Sequence, residues 1–271
     1  MSRLQKPEEK GLTTKLPGGI LMITELLPVF QRFAMPTPAI EDYLKTIYKL
    51  SRGESAASTT SIAQRLGVAA GSVTGMLKRL SRKGLVKYIP YYGARLTTRG
   101  EEEAVRMIRR HRVLELFLVD VLGYTWDRVH EEAEQLEHAV SDELIDRLAE
   151  FLGKPQQDPH GAPIPAAGMD LHEPQHDTLA DLPLDTPAIV RRVSDHDPEA
   201  LRCIAELGLL PGTPVLVKKH PPFNGPLQVW IGSAPRSITR TLAESIRVEP
   251  VNGNDEIASK PPDSSAPGET G

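Results

Sequence analysis

Three segments with helical apolar spacing, followed by two short strand-like segments, constrain the fold of this 271-residue chain more than any other feature. Apolar residues recur every three or four positions in residues 39–51, 62–66 and 72–83, which predicts three amphipathic helices. Residues 85–89 and 94–97 flank the turn-forming sequence Pro-Tyr-Tyr-Gly, as in a two-stranded hairpin. Two helices joined by a short turn and followed by a hairpin form the pattern of a winged helix-turn-helix.

The charge distribution of this unit indicates a nucleic-acid partner. Residues 55–100 contain no Asp or Glu but eight Lys or Arg, which suits a phosphate backbone. A helix-turn-helix presents the start of its second helix to base edges, and basic residues farther along contact phosphates. The residues predicted to contact double-stranded DNA are Ala69, Ser72, Thr74, Gly75, Lys78, Arg79, Arg82 and Arg95. The alternatives are a winged helix that contacts protein and a basic surface that is only solvated.

The following segment is acidic and carries possible metal ligands. Residues 101–150 contain 14 Asp or Glu against six Arg. Four side chains at spacings of four, three and one share a helix face, and they are His130, Glu134, Glu137 and His138. His111 and Glu115 form a second pair, and Asp42 lies on the first helix. Nitrogen and oxygen ligands without a thiolate favour manganese(II) or iron(II), although zinc or copper would bind at least as tightly. The alternative is a solvated helix face.

Apolar residues in the helices predicted at 98–122, 126–136 and 141–152 exceed what one short helical bundle needs in its interior. We therefore expect part of this surface to form a homodimer interface. The residues predicted for that interface are Leu114, Leu118, Val121, Leu144 and Leu148.

Composition divides the remainder of the chain. Residues 154–186 are rich in Pro, His and Asp, which predicts a linker that is poorly ordered over much of its length. Short strand candidates at 188–193, 215–219, 227–231 and 245–248, with a helix at 198–207, predict a small β-barrel. The predicted boundaries are 1–35 disordered extension, 36–100 DNA-binding domain, 101–153 helical metal-binding and dimerisation domain, 154–186 linker, 187–250 barrel and 251–271 disordered tail.

Several classes of protein are disfavoured. A single cysteine, Cys203, excludes an intramolecular disulfide and fits a reducing cytosol. The chain lacks the roughly 18 uninterrupted apolar residues of a membrane span, so we expect a cytoplasmic protein without a membrane partner. It also lacks an HExxH motif, a nucleophile elbow and a phosphate loop. Residues 134–138 depart from the H-x-x-E-H zinc-enzyme pattern because Glu134 replaces its first histidine. We therefore predict that the chain is not an enzyme.

Several motifs together resemble the diphtheria-toxin-repressor and manganese-transport-regulator family of bacterial metalloregulators. They are Glu-Asp-Tyr-Leu-Lys-Thr-Ile-Tyr at 41–48, the helix-turn-helix at 62–86, Arg-His-Arg at 110–112, 129–138, Ser-Asp-Glu at 141–143 and His-Gly-Ala-Pro-Ile-Pro at 160–165. The resemblance covers residues 36–165 strongly and the C-terminal barrel more weakly, where 205–212 is similar to a ferrous-transport accessory module. It implies a cytosolic homodimer that binds operator DNA when loaded with iron(II) or manganese(II), and it implies repression of metal-uptake genes. It also implies a mainly α fold with a small β content and an SH3-like β-barrel at the C-terminus.

The resemblance also implies two metal sites. The primary, activating site would comprise Asp42, Glu134, Glu137 and His138, and the ancillary site His111, Glu115 and His130 with Asp197 or Glu199 from the barrel. Asp42 and Glu134 stand where the iron-type pattern has Met and Cys, which favours manganese(II) first and iron(II) second. Lys45 stands where the manganese-type pattern has Glu, which argues against a binuclear site of that type. The His111 and His130 pair and the third domain are more similar to the iron type.

One mechanism follows as a hypothesis. Without metal, Asp42 faces Glu134 and Glu137, and repulsion between the carboxylates holds the DNA-binding domain away from the helical domain. A divalent ion replaces this repulsion by shared coordination and sets the spacing of the two recognition helices. Two alternatives remain: a regulator that binds DNA independently of metal, and a module that responds to a ligand of the C-terminal barrel.

Overall fold

The computed structural model describes residues 37–51, 55–168, 171, 173–195, 197–219 and 225–251. The chain divides into two units, residues 1–37 and residues 38–271, and every helix and strand given below lies in the second. The described residues contain eight helices and eight strands. The predicted extension at 1–35 and all but the first residue of the predicted tail at 251–271 lie outside the described residues.

The N-terminal region is a winged helix-turn-helix. It consists of α1 (Pro38–Leu50), α2 (Thr59–Leu66), α3 (Ala70–Arg82), β1 (Val86–Ile89) and β2 (Gly93–Leu96). Its core is formed by the apolar faces that the sequence predicts, because fully buried isoleucine, leucine and valine side chains of all three helices pack together. The helix after the turn therefore has a buried inner face and an exposed outer face.

Local sequence explains the turns of this region. Ser58 caps α2, because its hydroxyl accepts the backbone N–H of Ser61 at 2.9 Å. Gly67 ends α2 at φ 64°, a left-handed conformation that glycine adopts without a steric penalty. The hairpin pairs Val86 with Leu96 and Ile89 with Gly93, so the wing turn lies at residues 90–92.

The central region is helical. α4 (Thr98–Asp120), α5 (Trp126–Glu137) and α6 (Asp142–Phe151) pack around a second apolar cluster. Thr97 caps α4 and Ser141 caps α6, each by accepting a backbone N–H from three residues ahead. Because α4 packs against both α1 and α5, it joins the N-terminal region to the rest of the helical region.

Gly100 is required where α4 crosses the start of the hairpin. A Cβ at this position would lie 2.0 Å from the backbone oxygen of Leu85. We expect Gly100→Ala to lower the free energy of unfolding by about 1–3 kcal/mol, the usual cost of overpacking. Urea denaturation should show this, with Gly75→Ala as the control. A Cβ at Gly75 meets no atom within 4 Å, so that variant should be as stable as the parent or more stable. Equal stability of both variants would contradict the contact.

Residues 157–164, which the sequence predicts to lie in a poorly ordered linker, are packed against α4. Gln157 pairs with Pro163 in an isolated bridge, and Asp158 and His160 are buried. The guanidinium of Arg112 on α4 donates to the backbone oxygen of Pro163 and lies 3.7 Å from Asp158. These contacts replace the solvation that the polar composition suggests, so the prediction of poor order is wrong for this segment.

The C-terminal region is an antiparallel sheet. Its strands are β3 (Asp177–Thr178), β4 (Pro187–Val193), β5 (Pro214–Lys219), β6 (Leu227–Ile231), β7 (Ala234–Ile238) and β8 (Ile246–Pro250), in the order β3-β8-β4-β5-β6-β7. α7 (Pro198–Glu206) and α8 (Arg240–Glu244) complete it. A third apolar cluster fills this region, and Trp126 of α5 packs against it. The C-terminal region therefore contacts the helical region directly.

The described part of the chain contains no helix that is both long and apolar enough to span a membrane. α4 has 23 residues, but its sequence carries many charged side chains.

Candidate metal centre

Three groups of possible metal ligands occur in the described residues. We call them cluster 1 (Asp42, Glu137 and His138), cluster 2 (His111, Glu115 and His130) and cluster 3 (Glu115, Asp158 and His160). In each cluster, one nitrogen or oxygen atom from every residue lies within 4.8 Å of the others. Clusters 1 and 2 unite residues that the sequence predicts as ligands, whereas cluster 3 draws two residues from the segment predicted as a linker.

Cluster 1 joins the DNA-binding region to the helical region. Asp42 lies on the first turns of α1, while Glu137 ends α5 and His138 is the residue that follows it. The His138 Nε2 atom lies 3.2 Å from Asp42 Oδ1 and 3.6 Å from Glu137 Oε1. Burial raises the pKa of Asp42 even though the neighbouring His138 and Lys45 lower it. An ion bound here would connect two regions that are distant in sequence.

Glu41 orients the imidazole of cluster 1. Its buried carboxylate lies 2.7 Å from His138 Nδ1, so a proton on Nδ1 would be donated to Glu41. That arrangement leaves Nε2 free to face Asp42 and Glu137 with its lone pair. We did not select Glu41 from the sequence, although a carboxylate is a residue type that commonly orients a ligating histidine.

Both carboxylate oxygens of Glu137 contact cationic or proton-bearing nitrogens. Glu137 is fully buried, its Oε1 accepts from Lys45 Nζ at 2.6 Å, and its Oε2 lies 2.6 Å from His111 Nδ1. Burial raises the pKa of Glu137, but His111 and Lys45 outweigh it and hold that pKa below its usual range. Glu137 is therefore a carboxylate shared by cluster 1, the Lys45 ammonium and a ligand of cluster 2.

Cluster 2 lies between α4 and α5. The His111 Nε2 atom is 2.9 Å from Glu115 Oε1 and 3.0 Å from His130 Nδ1, which is in turn 3.1 Å from Glu115 Oε1. Because His111 Nδ1 faces Glu137, its Nε2 is the atom directed into the cluster. The two histidine rings meet edge-on with centroids 4.7 Å apart.

The two carboxylates around His111 favour its protonated form. Burial lowers the pKa of His111, but the charges and hydrogen bonds of Glu115 and Glu137 outweigh it and raise the pKa to about 9. The same imidazolium holds the pKa of Glu115 well below its usual range against the effect of burial. In the absence of a metal ion, a proton therefore supplies the positive charge of cluster 2 at neutral pH.

Cluster 3 contains polar atoms that lack partners. Glu115 Oε2 and both ring nitrogens of His160 are buried and make no hydrogen bond, although His160 Nδ1 lies 3.9 Å from Glu115 Oε2. Burial, followed by the charge of Glu115, raises the pKa of Asp158 to about 6. Unpartnered buried polar atoms are rare in folded proteins, and a bound cation or water molecule is one explanation for them. The Asp-Pro-His sequence at 158–160 was the available signal, but the polar composition around it predicted a linker.

Three predicted ligands, Glu134, Asp197 and its alternative Glu199, lie outside the three clusters. Glu134 has a half-exposed side chain, and its Oε1 lies 3.6 Å from both Lys45 Nζ and His130 Nε2. Asp197 caps α7, because its Oδ1 accepts the backbone N–H groups of Glu199 and Ala200 at 2.9 and 3.2 Å. One oxygen of the Asp197 carboxylate therefore takes part in the helix cap. The assignment of Asp197 to the ancillary site stays a prediction.

The residues predicted to contact DNA lie together on the exposed face of α3 and on the wing. Ala69, Ser72, Gly75, Lys78, Arg79 and Arg82 are exposed, and Thr74 and Arg95 are half-buried. Thr74 donates its hydroxyl to the backbone oxygen of Ala70 at 3.1 Å, which leaves the Thr74 oxygen able to accept. Tyr91 and Tyr92 at the wing tip are also exposed.

The residues predicted for the dimer interface divide into two groups. Leu114 and Leu118 are buried in the apolar cluster of their own chain, and Leu148 is partly buried against it. Val121 and Leu144 are exposed. Leu122 and Phe151, which the sequence analysis did not select, are 56% and 70% exposed and extend the apolar surface of this region.

Comparison with known protein families assigns each region. The family model "Iron dependent repressor, N-terminal DNA binding domain" matches residues 35–94. The model "Iron dependent repressor, metal binding and dimerisation domain" matches residues 97–166, which include all three clusters apart from Asp42. The model "FeoA domain" matches residues 178–250.

Curated relatives include repressors and an HTH-type transcriptional regulator by name. The iron-dependent repressor IdeR of Mycobacterium leprae is 31% identical over 223 residues, which cover 78% of this chain and 96% of the relative. The diphtheria toxin repressor of Corynebacterium glutamicum is 31% identical over 223 residues, covering 79% and 96%. The regulator MntR of Lysinibacillus sphaericus is 36% identical over 125 residues, covering 46% and 89%.

Solved structures agree with these assignments. A manganese-dependent transcriptional repressor in complex with manganese superposes with a TM-score of 0.73 at 38% identity, covering 78% of this chain and all of that one. ScaR with bound Zn²⁺ superposes with a TM-score of 0.67 at 34% identity, covering 78% and 99%. The fold class and the family resemblance predicted from the sequence are thus confirmed. The chain belongs to the iron-dependent repressor family of metal-dependent DNA-binding transcriptional regulators.

Proposed function

We propose that this protein is a homodimeric repressor that binds double-stranded operator DNA when a divalent ion occupies cluster 1. The observation that supports this most directly is that Asp42 belongs to the DNA-binding region, whereas Glu137 and His138 belong to the helical region. An ion shared by these three residues would stabilise one arrangement of the two regions. By linkage, operator DNA would raise the affinity for the ion by the same factor.

The ligand types favour manganese(II) first and iron(II) second. Clusters 1, 2 and 3 offer carboxylate oxygen and imidazole nitrogen, and none of them contains a thiolate. Hard or borderline ions prefer such ligands. A curated relative named as an iron-dependent repressor and a solved structure named as a manganese-dependent repressor both match this chain. The regulated genes would be those for uptake of the cognate ion, and the protein would act on DNA in the cytoplasm.

Dimerisation would bring two α3 helices to successive major grooves of one operator. The exposed apolar residues of the helical region are the surface that we propose for the interface, and they are Val121, Leu122, Leu144 and Phe151. This region matches a family model described as a dimerisation domain. Leu114 and Leu118 would support the surface from inside, because both are buried in the same chain.

Operator binding with and without metal tests the proposed function. DNA sequences would be selected from a random library with manganese-loaded protein, and fluorescence anisotropy would then measure their affinity. We expect tight binding with manganese(II) or, under anaerobic conditions, iron(II), and weak binding in chelator. Equally tight binding in chelator would support a metal-independent regulator instead.

The protonation of His111 predicts that metal binding depends on pH. Its pKa of about 9 means that the ring carries a proton at neutral pH, which an ion at cluster 2 must displace from Nε2. The affinity of cluster 2 should therefore rise with pH until pH 9 and fall as the medium becomes more acidic.

Calorimetric titration in two buffers with different ionisation enthalpies would count the protons released on binding. We expect total proton release at pH 7 to fall by about one in His111→Gln, because that variant lacks the displaced proton. Identical release from the wild type and His111→Gln would show that the imidazole is already neutral.

A further inference from the structure

Lys45 occupies the interface at which cluster 1 would bind its ion. Its ammonium donates to Glu137 Oε1 at 2.6 Å and lies 3.6 Å from Glu134 Oε1. Lys45 is buried, and it lies on α1 one turn after Asp42. The ion pair between Lys45 and Glu137 therefore joins the same two regions that cluster 1 joins.

The surroundings of Lys45 form a cleft lined by side chains of both charges. The cleft has a volume of about 760 Å³, and its lining includes the basic residues Lys45, Lys49 and Arg65 from α1 and α2. Its lining also includes Asp42 of α1, Glu131 and Glu134 of α5, and His138. Two ligands of cluster 1, Asp42 and His138, line this cleft, and the Lys45 ammonium contacts the third ligand, Glu137.

We propose that Lys45 is an internal cation that competes with the divalent ion for Glu137 and thereby sets the ion concentration at which the regulator responds. This inference rests on the proposed function, because it assumes that cluster 1 binds the activating ion.

Geometry shows why the two cations compete. An ion bound to Glu137 Oε1 would lie about 2.1 Å from that oxygen, and the Lys45 nitrogen lies 2.6 Å from the same oxygen. The two positive charges would then be separated by no more than about 5 Å, a distance at which like charges repel strongly inside a protein. Binding of the ion must therefore move Lys45 away from Glu137 or proceed against this repulsion.

Lys45 also changes the expected behaviour of the metal-free protein. The sequence analysis assumes that Asp42, Glu134 and Glu137 repel one another when no ion is present. The Lys45 ammonium offsets that repulsion, because it lies 2.6 Å from Glu137 Oε1 and 3.6 Å from Glu134 Oε1. The metal-free protein should therefore retain part of the DNA-competent arrangement, and removal of Lys45 should lower its affinity for DNA.

The test uses full-length Lys45→Met, which keeps the length of the aliphatic side chain and removes the charge. Manganese(II) affinity would be measured by electron paramagnetic resonance of the free ion, and DNA affinity in chelator by anisotropy on the selected operator. We expect manganese(II) to bind at least tenfold more tightly and DNA affinity in chelator to fall at least threefold. Lys49→Met is the matched control, because Lys49 lines the same cleft one turn farther along α1. It should change manganese(II) affinity less than threefold.

Each outcome bears on one statement. Wild-type protein that binds neither manganese(II) nor, under anaerobic conditions, iron(II) would refute the proposed function itself. Wild-type binding together with unchanged affinity in Lys45→Met would refute only the role of Lys45. Lys45→Arg retains the charge and should bind manganese(II) as the wild type does, so tenfold tighter binding by this variant would attribute the effect to packing and overturn the inference. If Lys45→Met does not fold, Lys45→Gln provides the same comparison with a neutral hydrogen-bond donor.

Discussion

Glu137→Gln is expected to weaken manganese(II) binding at cluster 1 by at least about 100-fold. Loss of an outer-shell partner alone typically costs 10–100-fold in metal affinity, and Glu137 is both a cluster 1 ligand and the hydrogen-bond partner of His111. The variant should bind operator DNA with the same weak affinity in manganese(II) and in chelator. Anisotropy titrations at fixed DNA and increasing manganese(II) would measure both effects.

A matched variant separates this effect from a general change in charge. Glu131→Gln removes a carboxylate from the same helix and the same cleft, but Glu131 is exposed and belongs to none of the three clusters. It should retain the metal dependence of the wild type. Glutamine keeps one oxygen acceptor and nearly the same volume, so Glu137→Gln tests the charge of Glu137 with little change in packing. Full metal dependence in Glu137→Gln would remove cluster 1 from the activating site.

All helices of the described residues except α8 could be predicted, because their signals are local. α5 begins at Trp126 and α3 ends near Gly84, as their apolar spacing and stop residues indicate. The boundaries of these helices match the predictions or differ from them by up to three residues, since hydrogen bonding of the last turn depends on cap geometry that spacing does not resolve. Local signals also sufficed for the hairpin, in which Gly93 lies against the backbone of Ala57.

Elements that depend on distant partners could not be predicted in the same way. β7 has only its last residue, Ile238, buried, so its sequence shows no alternating pattern. β3 has two residues and exists because β8 pairs with it. The segment around Asp158 is polar, but Arg112 of α4 and the backbone amides of the segment satisfy its charge. No local sequence pattern indicates these contacts.

The candidate site also combines residues that local spacing predicts with residues that only the three-dimensional structure brings together. Cluster 2 includes His111 with Glu115, at the i and i+4 spacing that a helix imposes, and cluster 1 includes the adjacent residues Glu137 and His138. The contacts of Lys45 and Glu41 depend on how α1 meets α5 and the residue after it, and cluster 3 depends on how α4 meets residues 158–160. Glu134 has the spacing predicted for a metal ligand, but its carboxylate lies near Lys45 and His130 and outside the three clusters.

Glu115→Ala should reduce metal binding more broadly than any substitution at a residue of a single cluster. Glu115 is fully buried and belongs to both cluster 2 and cluster 3, with Oε1 facing His111 and His130 and Oε2 facing His160. Its loss removes one ligand from two sites at once and also removes a charge that holds the pKa of His111 at about 9. In the metal-free protein, that pKa should fall toward its usual value, which nuclear magnetic resonance of the ring can follow.

The number of ions retained after extensive dialysis would separate clusters 2 and 3, since each contains at least one histidine that the other lacks. His130→Gln alters cluster 2 alone, and His160→Gln alters cluster 3 alone. If both clusters bind an ion, each histidine variant should lose about one ion per chain, and Glu115→Ala should lose both while retaining the ion at cluster 1. If Glu115→Ala lost no more than His130→Gln, cluster 3 would not bind metal. The unpartnered His160 nitrogens would then need another explanation, because buried polar atoms without partners are costly to a fold.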